Sequence, residues 1–505
     1  MLSVTTPIAP LAPPHEFNMA AHVLRHVKKR SNTIALSILY KDRSEDWTYA
    51  MIAQAVRGTA QGLITGGLYP EDRILLRLGN TADFPIAYLG CIAAGMIPVP
   101  LSAQLTTIKV QQISANIKPK ATIQSGMGNT NSEKIIGRKT LHTFYELPPA
   151  DFVMGHPDRP AYIIHTSGTS GQPRAVVHAH RAVWARQLMW DGWYGLTKDD
   201  RILHAGAFNW TYTLGTGLMD PWAIGATALI PANGTDVSFL PALLAKHKAT
   251  IFAAAPGVYR RLLRQDMPTM PALRHGLSAG EKLPEDTRLS WQVKTGTAVH
   301  EAFGMSECST FISGSPQNPA PPHASGFAQN GRKVAIINNG QPVERGTIGI
   351  IAIHKNDAGL MLGYLGASAD TVEKYDGDWF LTGDIGIMDD DGAISYKGRN
   401  DDMMNAGGYR VSPIEVEAII CAHPQIIESA VCSVQIKKNV HIIAAFYTST
   451  HMLEIDQLTA WCADRLAGYK CPRLFIACKN LPRGANNKLL RRVLRQNWEA
   501  EHGQT

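Results

Sequence analysis

The sequence predicts an α/β protein with a large N-terminal domain of layered, parallel-rich sheets, a small β-rich subdomain, and a small α+β domain at its C-terminal end. Three observations lead there. From about Asp72, short apolar runs alternate with helical patterns, the beat of strands covered by helices on both faces. Between Gly326 and Ile353 the texture changes to short extended runs broken by Gly, Pro and Asn. After Gly398 a second alternation of helix and strand patterns begins and continues for about a hundred residues, the size of a small domain. At 505 residues the chain exceeds one hydrophobic core, so more than one folding unit is expected.

The elements follow in order. Arg73-Ile74-Leu75-Leu76-Arg77-Leu78 reads as a strand and Ala82 to Ala94 as a helix stopped by Gly95. Ile97-Pro98-Val99-Pro100 begins the next extended piece. The runs Ala161 to His165, Ala226 to Ile230 and Ala249 to Ala253 read as buried strands with helices between them. In such sheets ligands bind beyond the carboxyl ends of the strands. Past Gly398, Ile414 to Ala422 and Leu458 to Leu466 read as helices, and Ser429 to Val434 and His441 to Tyr447 as strands. The expected boundaries are 1–398 for the N-terminal domain, with its β-rich part at about 320–398, and 399–505 for the C-terminal domain.

Composition narrows the class. Hydrophobic residues make up 45% and charged residues 18%, ordinary for a globular protein, and a net charge of +7 is too mild to argue for nucleic acid. It can still draw in anionic nucleotides. The 7 cysteines show no metal-type spacing and no C-x-x-C pair, which fits a reduced compartment. Met1 to Pro14 lacks a basic-then-apolar leader pattern, and no apolar run reaches bilayer length. The expectation is a cytoplasmic protein without a membrane span. Self-association is not readable.

The strand ending at His165 runs into Thr166-Ser167-Gly168-Thr169-Ser170-Gly171-Gln172-Pro173-Arg174. Two glycines let successive N–H groups turn inward, hydroxyls add donors, and Arg174 supplies a cation, so the loop can surround phosphate oxygens. No Gly-Lys-Ser/Thr closes it, so it is not a Walker A loop. By its own chemistry such a segment is more often an ordinary turn than a phosphate cradle. The segment resembles the signature of the adenylate-forming superfamily of acyl-CoA synthetases, adenylation domains and beetle luciferases. That signature, Thr-Ser-Gly-Thr-Thr-Gly-x-Pro-Lys-Gly, is met here with Ser170, Arg174 and Ala175 substituted.

Further matches follow in the family's order. Ser278-Ala279-Gly280-Glu281-Lys282 resembles the segment lying along the adenine, and Glu301-Ala302-Phe303-Gly304-Met305-Ser306-Glu307 resembles Tyr-Gly-x-Thr-Glu. The resemblance implies that Phe303 stacks on adenine, flanked by Gly304 and Met305, that Ser306 bonds phosphate, and that Glu307 holds Mg²⁺. Thr382-Gly383-Asp384 resembles the motif whose aspartate accepts from the ribose hydroxyls. Gly398-Arg399-Asn400-Asp401-Asp402 and Asn405 to Arg410 resemble the hinge and the loop after it. By that likeness Arg399 and Arg410 contact the nucleotide, Asp401 is the pivot of a mobile C-terminal domain, and Gly407 and Gly408 line the path of coenzyme A. Leu481-Pro482-Arg483-Gly484-Ala485-Asn486-Asn487-Lys488 resembles Pro-Lys-Thr-x-x-Gly-Lys, with Gly484 and Asn487 as departures. Alone, Lys488 with Arg491, Arg492 and Arg495 reads as a basic helix face; the resemblance makes it the catalytic lysine, with Glu307 and Arg399 beside it in the reaction.

The activity so implied has two halves: a carboxylic acid attacks the α-phosphorus of ATP and releases pyrophosphate, then the acyl group passes to a thiol after the small domain turns. By family position Phe208, Asn209, Trp210, Tyr212, Gly215 and Met305 border the acyl pocket. Asn209 stands where amino-acid-activating relatives carry the aspartate that holds the α-ammonium, so the expected acid is uncharged, aromatic or of medium length. Trp210 and Tyr212 suit a slot or ordinary core equally. The expected reaction is ligation to coenzyme A. A stand-alone enzyme loading a carrier protein's phosphopantetheine is the first alternative, and a catalytically degenerate nucleotide-binding homologue the second.

Overall fold

The computed structural model describes residues 1–7, 12–126, 132, 134–166, 174–406, 409–437, 440–451, 453–484 and 489–502, with the backbone alone for 409 and 410. By contact density the chain divides into two compact units.

The larger unit takes in residues 5–333 and 353–380. It is built on a 9-stranded sheet in the order Phe327–Ala328, Ser309–Ser313, Val299–Met305, His275–Ala279, Ile251–Ala254, Arg201–His204, Thr227–Pro231, Ile34–Leu39, Ser44–Thr48. From Val299–Met305 across to Ile34–Leu39 every pairing is parallel, and antiparallel strands close both edges. The central strands are buried on both faces, which is why they read as continuous apolar runs. Phe252, Tyr259 and Trp291 pack on one face and Trp193, Tyr212 and Leu277 on the other. A 4-stranded parallel sheet, ordered Ile97–Pro100, Arg73–Arg77, Ala121–Gln124, Lys134–Gly137, carries the helix Asp83–Ala93, all of whose residues are buried.

The expected strand at Ala161 to His165 forms as Pro160–Thr166, but its partner is the antiparallel strand Arg174–Ala179. Val176 and Val177 take the extended, paired conformation that β-branched residues favour, and the helices expected before the next strands begin with Ala182–Ala185. Residues 160–166 and 174–179 thus pair antiparallel on either side of 167–173, which lie outside the described residues.

The second unit takes in residues 1–4, 334–352 and 381–505. One sheet runs in the order 341–342, 334–338, 349–352, 381–388, 394–399. The other orders Ile426–Lys437, Val440–Ser449 and Leu474–Ala477, with the helices Pro413–Cys421 and Ile455–Ala463 packed through Val416, Ile420, Leu458 and Cys462. Pro413 at the first helical position fixes the entry of its helix, where a missing N–H costs nothing.

Candidate active site

The phosphate-loop segment Ser167 to Gly171 lies outside the described residues, but its base is defined. Thr166 pairs with Arg174 in register, and the Thr166 hydroxyl donates to the Arg174 carbonyl at 3.3 Å. The Arg174 guanidinium forms an ion pair with Asp370 at 2.9 Å and sits 4.8 Å over the Tyr364 ring. Tyr364 in turn donates its phenolic proton to Glu307 Oε1 at 2.7 Å. Arg174 and Glu307, remote in sequence, are thus joined through one aromatic residue.

Glu307 stands just past the strand Val299–Met305, and a bulge between Phe303 and Gly304 sets its direction. Gly304 is required there: a Cβ would lie 2.2 Å from the Ser309 carbonyl oxygen. The Ser306 carbonyl accepts from His178 Nε2 at 2.7 Å. Burial pushes the pKa of His178 down to about 4, so its ring is neutral near pH 7 and Nε2 must carry the proton. Met361 N–H donates to the Glu307 carbonyl at 2.7 Å, tying the 357–365 run to the same turn.

The neighbouring strand His275–Ala279 runs parallel, with Ser278 opposite Glu301 and Ala279 opposite Ala302. Gly280, Glu281 and Phe303 therefore emerge side by side at the carboxyl ends. Gly280 has φ +96°, and a Cβ there would meet Trp210 Cζ2 at 2.8 Å. Lys282 spends its ammonium inside the protein, 3.1 Å from Glu301 Oε2 and 3.2 Å from the Ala324 carbonyl.

The residues expected around an acyl pocket divide. Phe208 is fully buried, stacks on Phe84 at 5.1 Å, and donates its N–H to Asn80. Tyr212 is buried against Trp193 and commits its hydroxyl to the Leu277 carbonyl at 3.1 Å. Both rings are core in this arrangement. Asn209 and Trp210 are half-buried, and Trp210 meets Tyr212 edge-on at 5.1 Å. Gly215 lies against the Arg186 guanidinium, where a Cβ would be 2.1 Å away. Arg186 is itself sealed in a pair with Asp220, at 2.9 Å and 2.5 Å, that also receives the Tyr194 hydroxyl at 2.8 Å.

In the second unit, Asp384 and Arg399 face each other across adjacent antiparallel strands. Arg399 Nη1 reaches Asp384 Oδ1 at 3.4 Å and the Thr382 carbonyl at 3.2 Å, and Nε reaches Asp401 at 3.1 Å. Gly383 has φ +78° and leaves room for the guanidinium, which a Cβ would approach to 3.1 Å. Gly407, Gly408 and Lys488 lie outside the described residues, as does the Arg410 side chain. The flanks of Lys488 are ordered by a bridge between Arg483 and Leu489 and by Arg491, which grips Glu417 through two nitrogens at 2.7 Å and 2.6 Å.

Residues 23–365 match the family model described as AMP-binding enzyme, and residues 415–488 match that of the AMP-binding enzyme C-terminal domain. The chain belongs to the AMP-binding enzyme family. Among similar members, the mitochondrial acyl-coenzyme A synthetase ACSM2A of Homo sapiens is 28% identical over 96% of this chain and 92% of its own length. The benzoate–CoA ligase of Thauera aromatica is 28% identical over 90% and 92%. Among solved structures, a benzoate CoA ligase from Burkholderia xenovorans LB400 superposes with a TM-score of 0.85 at 26% identity, covering 95% of this chain and all of that one. The anthranilate CoA ligase AuaEII, solved with anthranoyl-AMP, shares the fold with a TM-score of 0.88 at 24% identity, over 97% and 99%.

For an AMP-binding enzyme the donor set around Glu307 fits a magnesium ion. No group of three or more His, Cys, Asp or Glu side chains among the described residues could cage a metal. Mg²⁺ is commonly held by one or two carboxylates together with nucleotide phosphates, and a carboxylate accepting one hydroxyl keeps further lone pairs for a cation. Sequence reading missed Tyr364, Asp370 and His178. Tyr364 carries no charge and sits in the plain run Met361-Leu362-Gly363-Tyr364, so no motif or spacing ties it to Glu307.

Proposed function

We propose that this AMP-forming acid–CoA ligase activates an otherwise uncharged medium-chain or aromatic carboxylic acid, and passes the acyl group to coenzyme A in the cytoplasm. The observation carrying the reading is Trp210 packed so close to Gly280 that a Cβ there would lie 2.8 Å from the indole. This sets an aromatic wall from the acyl segment directly against the segment assigned to adenine. Asn209 beside it, rather than aspartate, suits a neutral acid. The names of the relatives, acyl-coenzyme A synthetase and benzoate–CoA ligase, support the same class.

In this reading Thr166 to Gly171 and Arg174 hold the β- and γ-phosphates, Ser306 meets phosphate, and Phe303 with Gly280 and Glu281 borders adenine. Asp384 accepts from the ribose hydroxyls; its burial beside Arg399 keeps the carboxylate oriented for a diol. Glu307 holds Mg²⁺, which neutralises phosphate charge when bound. Lys488 aligns the carboxylate with the α-phosphate, and its place in 399–505, beyond the pivot Asp401, lets it leave before Gly407 and Gly408 admit the thiol. The test is AMP-forming turnover over short, medium and aromatic acids with CoA, set against a phosphopantetheinylated carrier protein. Turnover with aromatic or medium acids and CoA is expected. An acid that exchanges pyrophosphate yet gives no product with CoA overturns the acceptor assignment.

A further inference from the structure

The link between Arg174 and Glu307 has a built frame around it. The pair Gly363–Tyr364 is hydrogen-bonded as a short strand to Val177 and Val176, in the strand that starts at Arg174. Leu362 N–H and Leu365 N–H donate to the Val177 and Ala175 carbonyls at 2.8 Å and 2.9 Å. On the other side, the Tyr364 N–H is taken up by Thr371 Oγ1 at 3.0 Å, on the short helix Ser368–Val372 that also carries Asp370. The start of the run is staked by buried charge. Arg332 pairs with Asp357, whose carboxylate also accepts the Gly359 N–H at 2.8 Å, and Arg181 donates to the carbonyls of Ala358 and Leu360. Tyr364 itself is buried. A phenol held by so many backbone contacts is fixed in place, and its hydroxyl reaches one carboxylate oxygen.

We infer that Tyr364 is a positioning residue coupling metal and phosphate recognition, holding Glu307 through its hydroxyl and Arg174 through its ring, and that Asp370 is the counter-ion Arg174 surrenders to a nucleotide phosphate. The inference rests on the reading of Glu307 and Arg174 as MgATP contacts. Three charged groups and one phenol form a chain, Asp370–Arg174–Tyr364–Glu307. Phosphate arriving at Arg174 competes with Asp370 for the same guanidinium, and the metal on Glu307 binds a carboxylate whose orientation Tyr364 sets. Fixing a ligand from behind is how outer partners commonly tune a metal site. The two events then favour each other, as linkage requires of any coupled pair of sites.

The experiment is calorimetric titration of the full chain with MgATP and with ATP in EDTA, comparing the parent with Tyr364→Phe, Asp370→Asn and Glu307→Gln, and with thermal melts alongside. Tyr364→Phe keeps the ring over Arg174 and removes one hydroxyl. It is expected to lower the ratio of MgATP to metal-free ATP affinity about tenfold, the weight of a hydrogen bond to a charged group, with metal-free affinity unchanged. Asp370→Asn is expected to tighten metal-free ATP about threefold, in keeping with a half-exposed ion pair. An unchanged ratio in Tyr364→Phe, or a lowered melting temperature as its sole effect, overturns the coupling. A loss of metal-free affinity in Asp370→Asn overturns the counter-ion assignment. Glu307→Gln separates the layers: if it leaves the ratio at the parent value, the metal assignment of Glu307 fails.

Discussion

Gly280 carries two constraints at once. Its φ of +96° lies where side chains are strained, and Trp210 occupies the space a Cβ needs. Gly280→Ala is therefore expected to destabilise the protein by about 1–3 kcal/mol and to raise KM for the acid more than KM for ATP, since Trp210 must move. Steady-state kinetics check this; an unaltered acid KM would remove Trp210 from the acyl wall. Asp220 poses a different problem, because Arg186 cannot shed its proton and is sealed beside it. Asp220→Asn leaves a buried guanidinium without its counter-charge and is expected to cost about 3–5 kcal/mol, read by chemical denaturation. Neither effect follows from local sequence: Arg186 and Asp220 are 34 positions apart, and a run containing either reads as an ordinary helix with one charge.

At the scale of elements, the antiparallel pair Pro160–Thr166 and Arg174–Ala179 and the residues flanking Lys488 bear the functional assignment. The antiparallel pair brings Arg174 beside Gly363–Tyr364 only because its second strand pairs with them. The order of chain segments was legible in apolar periodicity, since each buried strand must exclude polar residues. Which strands pair was not, because backbone hydrogen bonds carry no residue identity. On either side of Lys488, Arg483 pairs with Glu428 and Arg491 with Glu417. The basic run that reads as a solvated helix face therefore includes an arginine engaged with a partly buried acid, and Arg491 is part of the frame rather than of a free patch. Lys488→Ala is expected to lower pyrophosphate exchange by at least about 100-fold, the scale of losing a charge that aligns reacting groups. Transfer from a supplied acyl-adenylate to CoA should be largely retained. Equal losses in both half-reactions would sink the assignment of Lys488 to adenylation alone.

Across the whole molecule, buried histidines of the larger unit set the response to acid. His178, His275 and His300 are held down to about 4 by burial, against 6.5 for the free side chain. The unfolded chain therefore binds protons between about pH 6.5 and pH 4 that the folded chain refuses, and stability falls as pH drops through that window. Each such group contributes up to a few kcal/mol. Denaturant titrations at pH 7 and pH 5 should show a lower midpoint at pH 5, and Asn in place of His178 should reduce that difference. A midpoint independent of pH would refute it.

By itself the sequence determined the α/β class and the family, because both rest on local regularities: short continuous apolar runs alternating with helical patterns, and glycines and hydroxyls at fixed spacing in loops. It also placed Glu307, Asp384 and Arg399 in the order their motifs require. Only the tertiary structure decided that Phe208 and Tyr212 are core, that Lys282 is spent on Glu301, and that Tyr364 stands between Arg174 and Glu307. Those outcomes depend on which buried surfaces meet. A side chain's role there is set by the partner it meets, and that partner lies 19 to 190 positions away along the chain.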